Sequence, residues 1–98
     1  MTTKNPLDTK LTLYSDPSHG WLEVPFWLLD LFEGLKVSPY SYACKHRQCG
    51  YLEEDCDASA FIAAFEAKFG AKPQTGEKYS TKSFIRSLNK YGYVRDKK

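Results

Sequence analysis

Three phenylalanines at four-residue intervals are the feature that most constrains the fold of this chain. Phe61, Phe65 and Phe69 fall on one face of a helix with 3.6 residues per turn. Asp57 is a favourable N-cap, and Gly70 can adopt the left-handed conformation that ends many helices. The spacing predicts an amphipathic helix between these two residues, and its phenylalanine face needs an apolar surface to cover.

The chain before this helix consists of short extended segments divided by turn-forming residues. Leu11–Tyr14 and Trp21–Val24 are predicted strands, with a Ser-Asp-Pro-Ser-His-Gly turn between them. Tyr40–Cys44 and Tyr51–Glu53 predict a hairpin with a basic tip. Residues 78–80 are predicted to form a short strand at most.

Two further helices are predicted on either side of this region. The apolar run Phe26–Glu33 follows Pro25, which suits the first position of a helix, and Gly34 can end it. A last helix is expected to begin at Ser80 or Thr81, to bury Phe84, Ile85, Leu88 and Tyr91, and to end at Gly92. The element order predicts the α+β class, as a small antiparallel sheet with two to three helices packed on one face.

The length of 98 residues suits one compact domain, predicted here over residues 11–93. Residues 1–10 are expected to be a flexible arm and residues 94–98 a basic tail. The longest apolar stretch, Val24–Phe32, contains a proline and an aspartate and is too short for a membrane span. Three cysteines without a disulfide framework, and no apolar signal segment, predict an intracellular protein with reduced thiols.

The net charge of +2 hides a strong segregation of charge along the chain. Residues 11–35 contain four acids and no lysine or arginine, whereas residues 78–98 contain seven basic residues and one aspartate. Such segregation concerns partners more than fold. One alternative is that the acidic N-terminal half mimics the phosphate array of a nucleic acid.

A candidate zinc site combines Cys44, His46 and Cys49 with Cys56, because thiolates and imidazole are ligands that Zn²⁺ prefers. The spacing does not match the usual paired motifs of structural zinc sites. The alternative is that Cys44 and Cys56 are small buried apolar residues and that Cys49 is exposed at a turn. No cofactor is expected.

Four acids, Glu53, Glu54, Asp55 and Asp57, form a second cluster. Clustered carboxylates can bind a divalent cation or perform acid–base chemistry. The simpler interpretation places them at a helix N-terminus, where free N–H groups and the helix dipole favour negative charge.

His19 lies in a turn with Asp16 and Ser18, which resembles the composition of a hydrolase triad. A triad requires partners that converge from separate elements, and these three residues fall on one turn. A turn histidine beside Trp21 is the simpler interpretation.

A row of cations is predicted on the last helix. Lys82, Arg86 and Lys90 are four residues apart and therefore share one helical face. This face suits a phosphate backbone or an acidic protein surface, although such rows also occur simply as solvated helix faces.

Four strings of the sequence resemble a family of small uncharacterised accessory proteins from bacteriophages and prophages. The strings are Tyr14–Val24, Ser38–Tyr42, Tyr51–Asp57 and Ser83–Arg86, within a likeness that spans about residues 11–91. The Cys44, His46 and Cys49 trio is not part of the family pattern. The resemblance implies a phage protein in the host bacterial cytoplasm, and proteins of that type are often stoichiometric inhibitors of host defence, such as anti-CRISPR proteins.

The sequence and the resemblance together predict a non-enzymatic protein that binds and blocks a host macromolecule. The expected partner is a defence protein or a ribonucleoprotein complex, and the alternative is a small nucleic-acid-binding regulator that uses the basic C-terminal helix. The predicted partner-binding residues are Tyr40, Tyr42, Lys45, His46, Arg47, Lys82, Arg86 and Lys90.

Overall fold

Six strands form one mixed sheet in a computed structural model that describes residues 5–81 and 84–95. The strands are β1 (Lys10–Ser15), β2 (Gly20–Pro25), β3 (Tyr42–Cys44), β4 (Cys49–Glu53), β5 (Gln74–Tyr79) and β6 (Asn89–Lys90). Their spatial order is β5-β1-β2-β4-β3-β6. The β1–β5 pair is parallel and the other neighbouring pairs are antiparallel.

One helix dominates the helical part of the described chain. The α-helices are α1 (Phe26–Leu29), α2 (Ser59–Phe69) and α3 (Tyr91–Arg95), and a π-helical turn, Glu54–Ala58, leads directly into α2. Two 3-10 turns occupy Pro6–Asp8 and Phe84–Ser87. The α+β class is confirmed, but the predicted small antiparallel sheet with two to three helices is wrong. The sheet is larger and mixed, and α2 is the main helix.

Strand alternation separates the sheet into two unlike faces. The apolar face presents Leu22, Val24 and Leu52 to the phenylalanines of α2 and to Leu28 and Leu29 of α1. The aromatic face presents a second buried cluster, in which Ile85 of the Phe84–Ser87 turn packs on Trp21 and Tyr51. Packing on only one face, as the sequence predicted, is therefore wrong: α1 and α2 cover one face and residues 84–88 cover the other.

The phenylalanine-rich helix is confirmed, with a different beginning. Phe61 and Phe65 are buried, and Gly70 ends the helix with φ of 80° while its N–H donates to the carbonyl of Glu66. Asp57 does not cap the helix, because a π-helical turn precedes α2 and the Asp57 carboxylate is used elsewhere.

The helix predicted over Phe26–Glu33 is much shorter in the structure. It ends at Leu29, after which the N–H groups of Leu31 and Phe32 bond to carbonyls three residues back. This tighter turn lets the Phe32 ring pack on three rings of α2, those of Phe61, Phe65 and Phe69. The predicted helix end at Gly34 is therefore wrong, although Gly34 does take a left-handed φ of 87°.

The predicted terminal helix does not form, and with it the predicted cationic helix face is wrong. Residues 84–87 form a 3-10 turn, Asn89 and Lys90 pair with β3, and the N–H of Tyr91 donates to the carbonyl of Ser41. Strand pairing and the burial of Ile85 against the sheet outweigh the local helical spacing, which is a weak determinant by comparison.

The remaining strand predictions hold with altered ends. The hairpin of β3 and β4 has its basic four-residue tip at residues 45–48, where Gln48 takes a positive φ of 56°. Strand β5 is longer than expected and extends over Gln74–Tyr79, although both of its faces are largely exposed. Residues 1–4 of the predicted arm and 96–98 of the predicted tail lie outside the described residues. Within the described chain, no helix is long and apolar enough to cross a membrane.

Candidate functional site

A cavity of about 320 Å³ lies on the aromatic face of the sheet, beside the loop that leads into β3. We call it the aromatic cavity. Strands β2, β3, β4 and β6 contribute to it, together with two loops, the π-helical turn and the turn over residues 84–87. Its lining residues are His19, Trp21, Tyr40, Tyr42, Glu53, Asp55, Cys56, Arg86 and Lys90.

Aromatic rings from two strands are central to the cavity lining. Trp21 is almost fully buried, and its ring lies 6.1 Å from that of Tyr42 in an edge-to-face arrangement. The His19 ring lies 5.9 Å from Trp21 at the end of the turn before β2. Because Trp21 is the register partner of Glu53 on β4, the strand pairing also places that carboxylate beside the rings. The predicted position of His19, in a turn beside Trp21, is confirmed.

Arg86 contributes a cation that is already neutralised. Its guanidinium lies 5.1 Å from the centre of the Trp21 ring and donates from Nε to Oδ2 of Asp16 over 2.9 Å. Asp16 also accepts bonds from the N–H groups of Ser18 and His19. The hydrogen bond from Arg86, aided by that from His19, holds the pKa of Asp16 well below its usual range. This pair anchors residues 84–87 to the turn between β1 and β2.

Lys90 contributes a second cation, held by strand pairing. It is the register partner of Tyr42, and its Nζ lies 4.5 Å from the centre of the Tyr42 ring. The same nitrogen is 3.5 Å from the Tyr42 hydroxyl. None of the ion pairs among the described residues includes Lys90. Within the described residues, the Tyr42 ring and hydroxyl are therefore the contacts of this ammonium.

Tyr40 is the most exposed large aromatic residue of the cavity, with 68% of its surface accessible. Its loop is fixed by the buried carboxylate of Asp57, which accepts bonds from the N–H and hydroxyl of Ser38 and from the hydroxyl of Ser41. The Ser41 hydroxyl in turn accepts from the N–H of Glu53. Asp57 thus holds an exposed tyrosine in place by bonding the residues on both sides of it.

Two carboxylates of the cavity have no cationic partner in the described part of the chain. The Glu53 side chain accepts only from the N–H of Asp55, and neither residue takes part in an ion pair there. Both lie where the π-helical turn begins, so the helix N-terminus interpretation of this acidic cluster agrees with the structure.

The predicted partner-binding residues fall into two groups. Tyr40, Tyr42, Arg86 and Lys90 line the aromatic cavity together. The hairpin tip does not: Lys45, His46 and Arg47 are all exposed and lie outside the cavity lining. Lys82, the remaining predicted residue, lies outside the described residues.

Arg47, at the hairpin tip, contacts the aromatic face although 49% of its side chain is exposed. Its guanidinium lies 5.6 Å from the centre of the Phe84 ring and 3.6 Å from a Glu23 oxygen. Glu23 accepts a 2.7 Å bond from the hydroxyl of Tyr51, and burial together with this bond raises the pKa of Tyr51 far above its usual value. This cluster is part of the packing between the tip and the sheet.

The candidate zinc ligands do not form a set. Cys44 and Cys49 are register partners across β3 and β4, but His46 is exposed at the tip and Cys56 is exposed in the π-helical turn. Within residues 5–81 and 84–95, no three His, Cys, Asp or Glu side chains are arranged to hold a metal ion. The alternative prediction is also wrong for Cys56, which is exposed, and for Cys49, where burial raises the pKa of the thiol to about 11.

Three of the four acids of residues 11–35 are paired in space with arginines from later in the chain. All three ion pairs among the described residues join an acid of residues 11–35 to a later arginine: Asp16 to Arg86, Glu23 to Arg47, and Asp30 to Arg95. Arg95 also lies 4.1 Å from the centre of the Phe26 ring. Arg86 and Arg95 of the C-terminal segment therefore lie against acids of the N-terminal half.

Sequence reasoning missed Trp21, Glu53 and Asp55 as members of the site. The available signal was strand alternation, which puts Trp21, Tyr42 and Glu53 on one face once the register of β2, β4 and β3 is known. That register depends on long-range pairing and was not specified by any local motif. Comparison with protein-family models, curated proteins and solved structures finds no match for this chain.

Proposed function

We propose that the chain is a non-enzymatic binding protein that docks on a protein partner through the aromatic cavity. The observation that carries this proposal is the exposed Tyr40 beside a cavity of about 320 Å³ lined by Trp21 and Tyr42. Interface hot spots are enriched in tyrosine, tryptophan and arginine, and they lie in partly enclosed places where water is excluded. Tyr40 would bury its exposed ring at such an interface.

The partner we propose is a component of a bacterial defence system, either a protein or the protein part of a ribonucleoprotein complex. The support for this setting is the resemblance of four strings of the sequence to small phage and prophage accessory proteins. In that setting the chain acts in the bacterial cytoplasm as a stoichiometric inhibitor, in the manner of anti-CRISPR proteins. Inhibition then follows from occupying a surface that the defence complex needs.

The regulator alternative loses its structural basis. The proposed row of cations required a helix, whereas Arg86 is paired with Asp16 and Lys90 lies in a strand. Glu53 and Asp55 line the same cavity and would repel a phosphate backbone. Nucleic-acid binding through Arg86 and Lys90 should fall steeply with salt concentration. The regulator hypothesis and the protein-binding proposal are therefore separable by experiment.

The test is capture from a bacterial lysate with the tagged full-length chain and two tyrosine variants. Tyr40→Ala should lose the captured protein, and Tyr79→Ala should retain it. Tyr79 is a matched control because it is 65% exposed and lies on β5, at the opposite edge of the sheet from β6. Captured proteins are identified by mass spectrometry, with and without nuclease treatment.

Two outcomes would overturn the proposal. Equal capture by Tyr40→Ala and the unchanged chain would show that the aromatic cavity does not carry the interaction. Recovery of nucleic acid alone, sensitive to salt and to nuclease, would favour the regulator instead. Circular dichroism of both variants confirms that each remains folded.

A further inference from the structure

We propose that the aromatic cavity binds a basic side chain of the partner, with arginine preferred over lysine. This inference rests on the proposed function, because it names the group that the partner inserts into the cavity. The observations behind it are the unpaired carboxylates, the arrangement of the rings and the balance of charge in the cavity lining. Each can be changed separately by substitution.

The carboxylates are the first part of the case. Glu53 and Asp55 line the cavity, and the N–H of Asp55 donates a 3.2 Å hydrogen bond to a Glu53 carboxylate oxygen. No lysine or arginine in the described chain forms an ion pair with either residue. Their remaining acceptor capacity is therefore available, and a planar guanidinium can satisfy two carboxylate oxygens at once.

The rings are the second part. The cavity already holds two cations of its own chain against ring faces, Arg86 on Trp21 at 5.1 Å and Lys90 on Tyr42 at 4.5 Å. Tyr40 has no such cation in the described part of the chain and is largely exposed. A guanidinium can stack on this ring while it bonds to a carboxylate, which a compact ammonium does less well.

The balance of charge is the third part. The Arg86 charge is compensated by Asp16, so the lining groups without an ion pair among the described residues are two carboxylates and the ammonium of Lys90. A cation is therefore favoured over an anion, and Lys90 opposes it as a like charge. The indole N–H of Trp21 is buried and has no acceptor among the described residues. A peptide offers carbonyl acceptors as well as a side-chain cation, which suits this lining better than a bare metal ion.

The experiment titrates small probes into the full-length ¹⁵N-labelled chain and follows the indole N–H signal of Trp21. Trp27→Phe identifies that signal, because the chain has two tryptophans. The probes are N-acetyl-arginine methylamide, its neutral citrulline analogue, and N-acetyl-glutamate methylamide. The arginine probe should shift the Trp21 signal saturably, and the citrulline probe should bind at least about five-fold more weakly.

Variants that remove a charge from the cavity test whether affinity for the arginine probe falls or rises as the proposal requires. Asp55→Asn and Glu53→Gln should each weaken binding of the arginine probe about three-fold, and Lys90→Gln should strengthen it about two-fold. Glu77→Gln on β5 is the matched control and should change nothing, because Glu77 is an exposed acid outside the cavity. Asp55 is exposed, so Asp55→Asn keeps the test valid if Glu53→Gln disturbs the fold.

Tighter binding of the glutamate probe, reversed signs for the charge variants, or no saturable shift with the arginine probe would each overturn the inference. These results leave the proposed function standing if Tyr40→Ala still abolishes capture of the partner. If instead the arginine probe binds as expected while Tyr40→Ala captures as much partner as the unchanged chain, the cavity binds basic side chains but the proposed docking surface is wrong. The two failures are therefore distinguishable.

Discussion

The two faces of the sheet are built from different kinds of contact. On the apolar face, the phenylalanines of α2 pack against aliphatic residues such as Leu22 and Leu52. On the aromatic face, Trp21 and Tyr51 are buried beneath one short segment that is held by charged and polar contacts. The first face is covered by a regular helix, and the second by a 3-10 turn.

This difference indicates a division of roles. Burial of large apolar side chains is the main source of folding free energy, and it is concentrated where α2 meets the sheet. The aromatic face exposes rings and leaves charged groups unpaired, which costs little on the surface and provides specific contacts for a partner. Substitutions on the first face should therefore reduce stability most, while those in the cavity should mainly affect binding.

The largest effect is expected for Phe65→Ala on the apolar face. Phe65 is fully buried, and its ring contacts those of Phe32, Phe61 and Phe69. Its removal should lower the free energy of unfolding by about 3–5 kcal/mol, as for other buried phenylalanines. Urea denaturation followed by circular dichroism measures this change. A loss below about 1 kcal/mol would contradict the assignment of stability to this face.

A smaller loss is expected for Ile85→Ala on the aromatic face. Ile85 is fully buried against Trp21 and Tyr51, but its segment is short and can relax into the space left behind. The free energy of unfolding should fall by about 2 kcal/mol, at the lower end for such truncations. Val24→Ala on the apolar face provides a comparison of similar size and burial in a central strand. An unchanged urea midpoint for Ile85→Ala would show that residues 84–88 do not stabilise the sheet.

A loss of about 1 kcal/mol is expected for Tyr51→Phe, because the buried hydroxyl donates a 2.7 Å bond to Glu23. Tyr40→Phe is the matched control: its ring is 68% exposed, and its stability should stay within about 0.5 kcal/mol of the unchanged chain. Urea denaturation of both variants measures the difference. Equal stability of the two would mean that the polar contacts of the aromatic face contribute nothing.

The smallest effect is a pH dependence removed by Asp16→Asn. The pKa of Asp16 is lowered in the folded chain, chiefly by its bond with Arg86, so the pair stabilises the fold above the unfolded pKa of about 3.9. That stabilisation is lost as the pH falls through the lowered folded pKa. The variant should therefore be less stable at neutral pH, and its difference from the unchanged chain should shrink in strong acid.

Urea midpoints measured between neutral pH and about pH 2 test this expectation, with Glu77→Gln as the control for general charge effects. Glu77 is exposed on the edge strand and takes no part in the ion pairs of the described chain. A constant difference between Asp16→Asn and the unchanged chain at all pH values would show that the ionised carboxylate of Asp16 is not responsible.

Local patterns in the sequence predicted the elements that depend on local contacts. The spacing of Phe61, Phe65 and Phe69 indicated α2, and Gly70 its end, because both follow from helix geometry alone. The hairpin of β3 and β4 was also predicted correctly, because its two strands are neighbours in sequence. The 84–90 segment was wrongly predicted as a helix because Ile85 packs against strands more than 30 residues away in sequence. Local spacing does not contain that contact.

The candidate site was predictable only in part. Tyr40 and Tyr42 were chosen as exposed aromatic residues, and they line the cavity with Arg86 and Lys90. Arg86 and Lys90 were selected for a helical spacing, but the helix does not form. Lys90 reaches the cavity because β6 pairs with β3, and Arg86 because it bonds to Asp16. Glu53 was considered as a cation ligand and as a helix N-terminal acid but not as a neighbour of Trp21, because that position depends on the register between β2 and β4.

The order of strands in the sheet bears on how the chain is made. The four inner strands, β1, β2, β4 and β3, come from residues 10–53, whereas both outer strands, β5 and β6, come from residues 74–90. During synthesis the inner sheet can therefore form with both edges unpaired, and it is completed only when the last quarter of the chain leaves the ribosome. Open strand edges are sites of aggregation, and contacts so distant in sequence form slowly. The C-terminal segment that builds part of the cavity also protects the sheet from pairing with other chains.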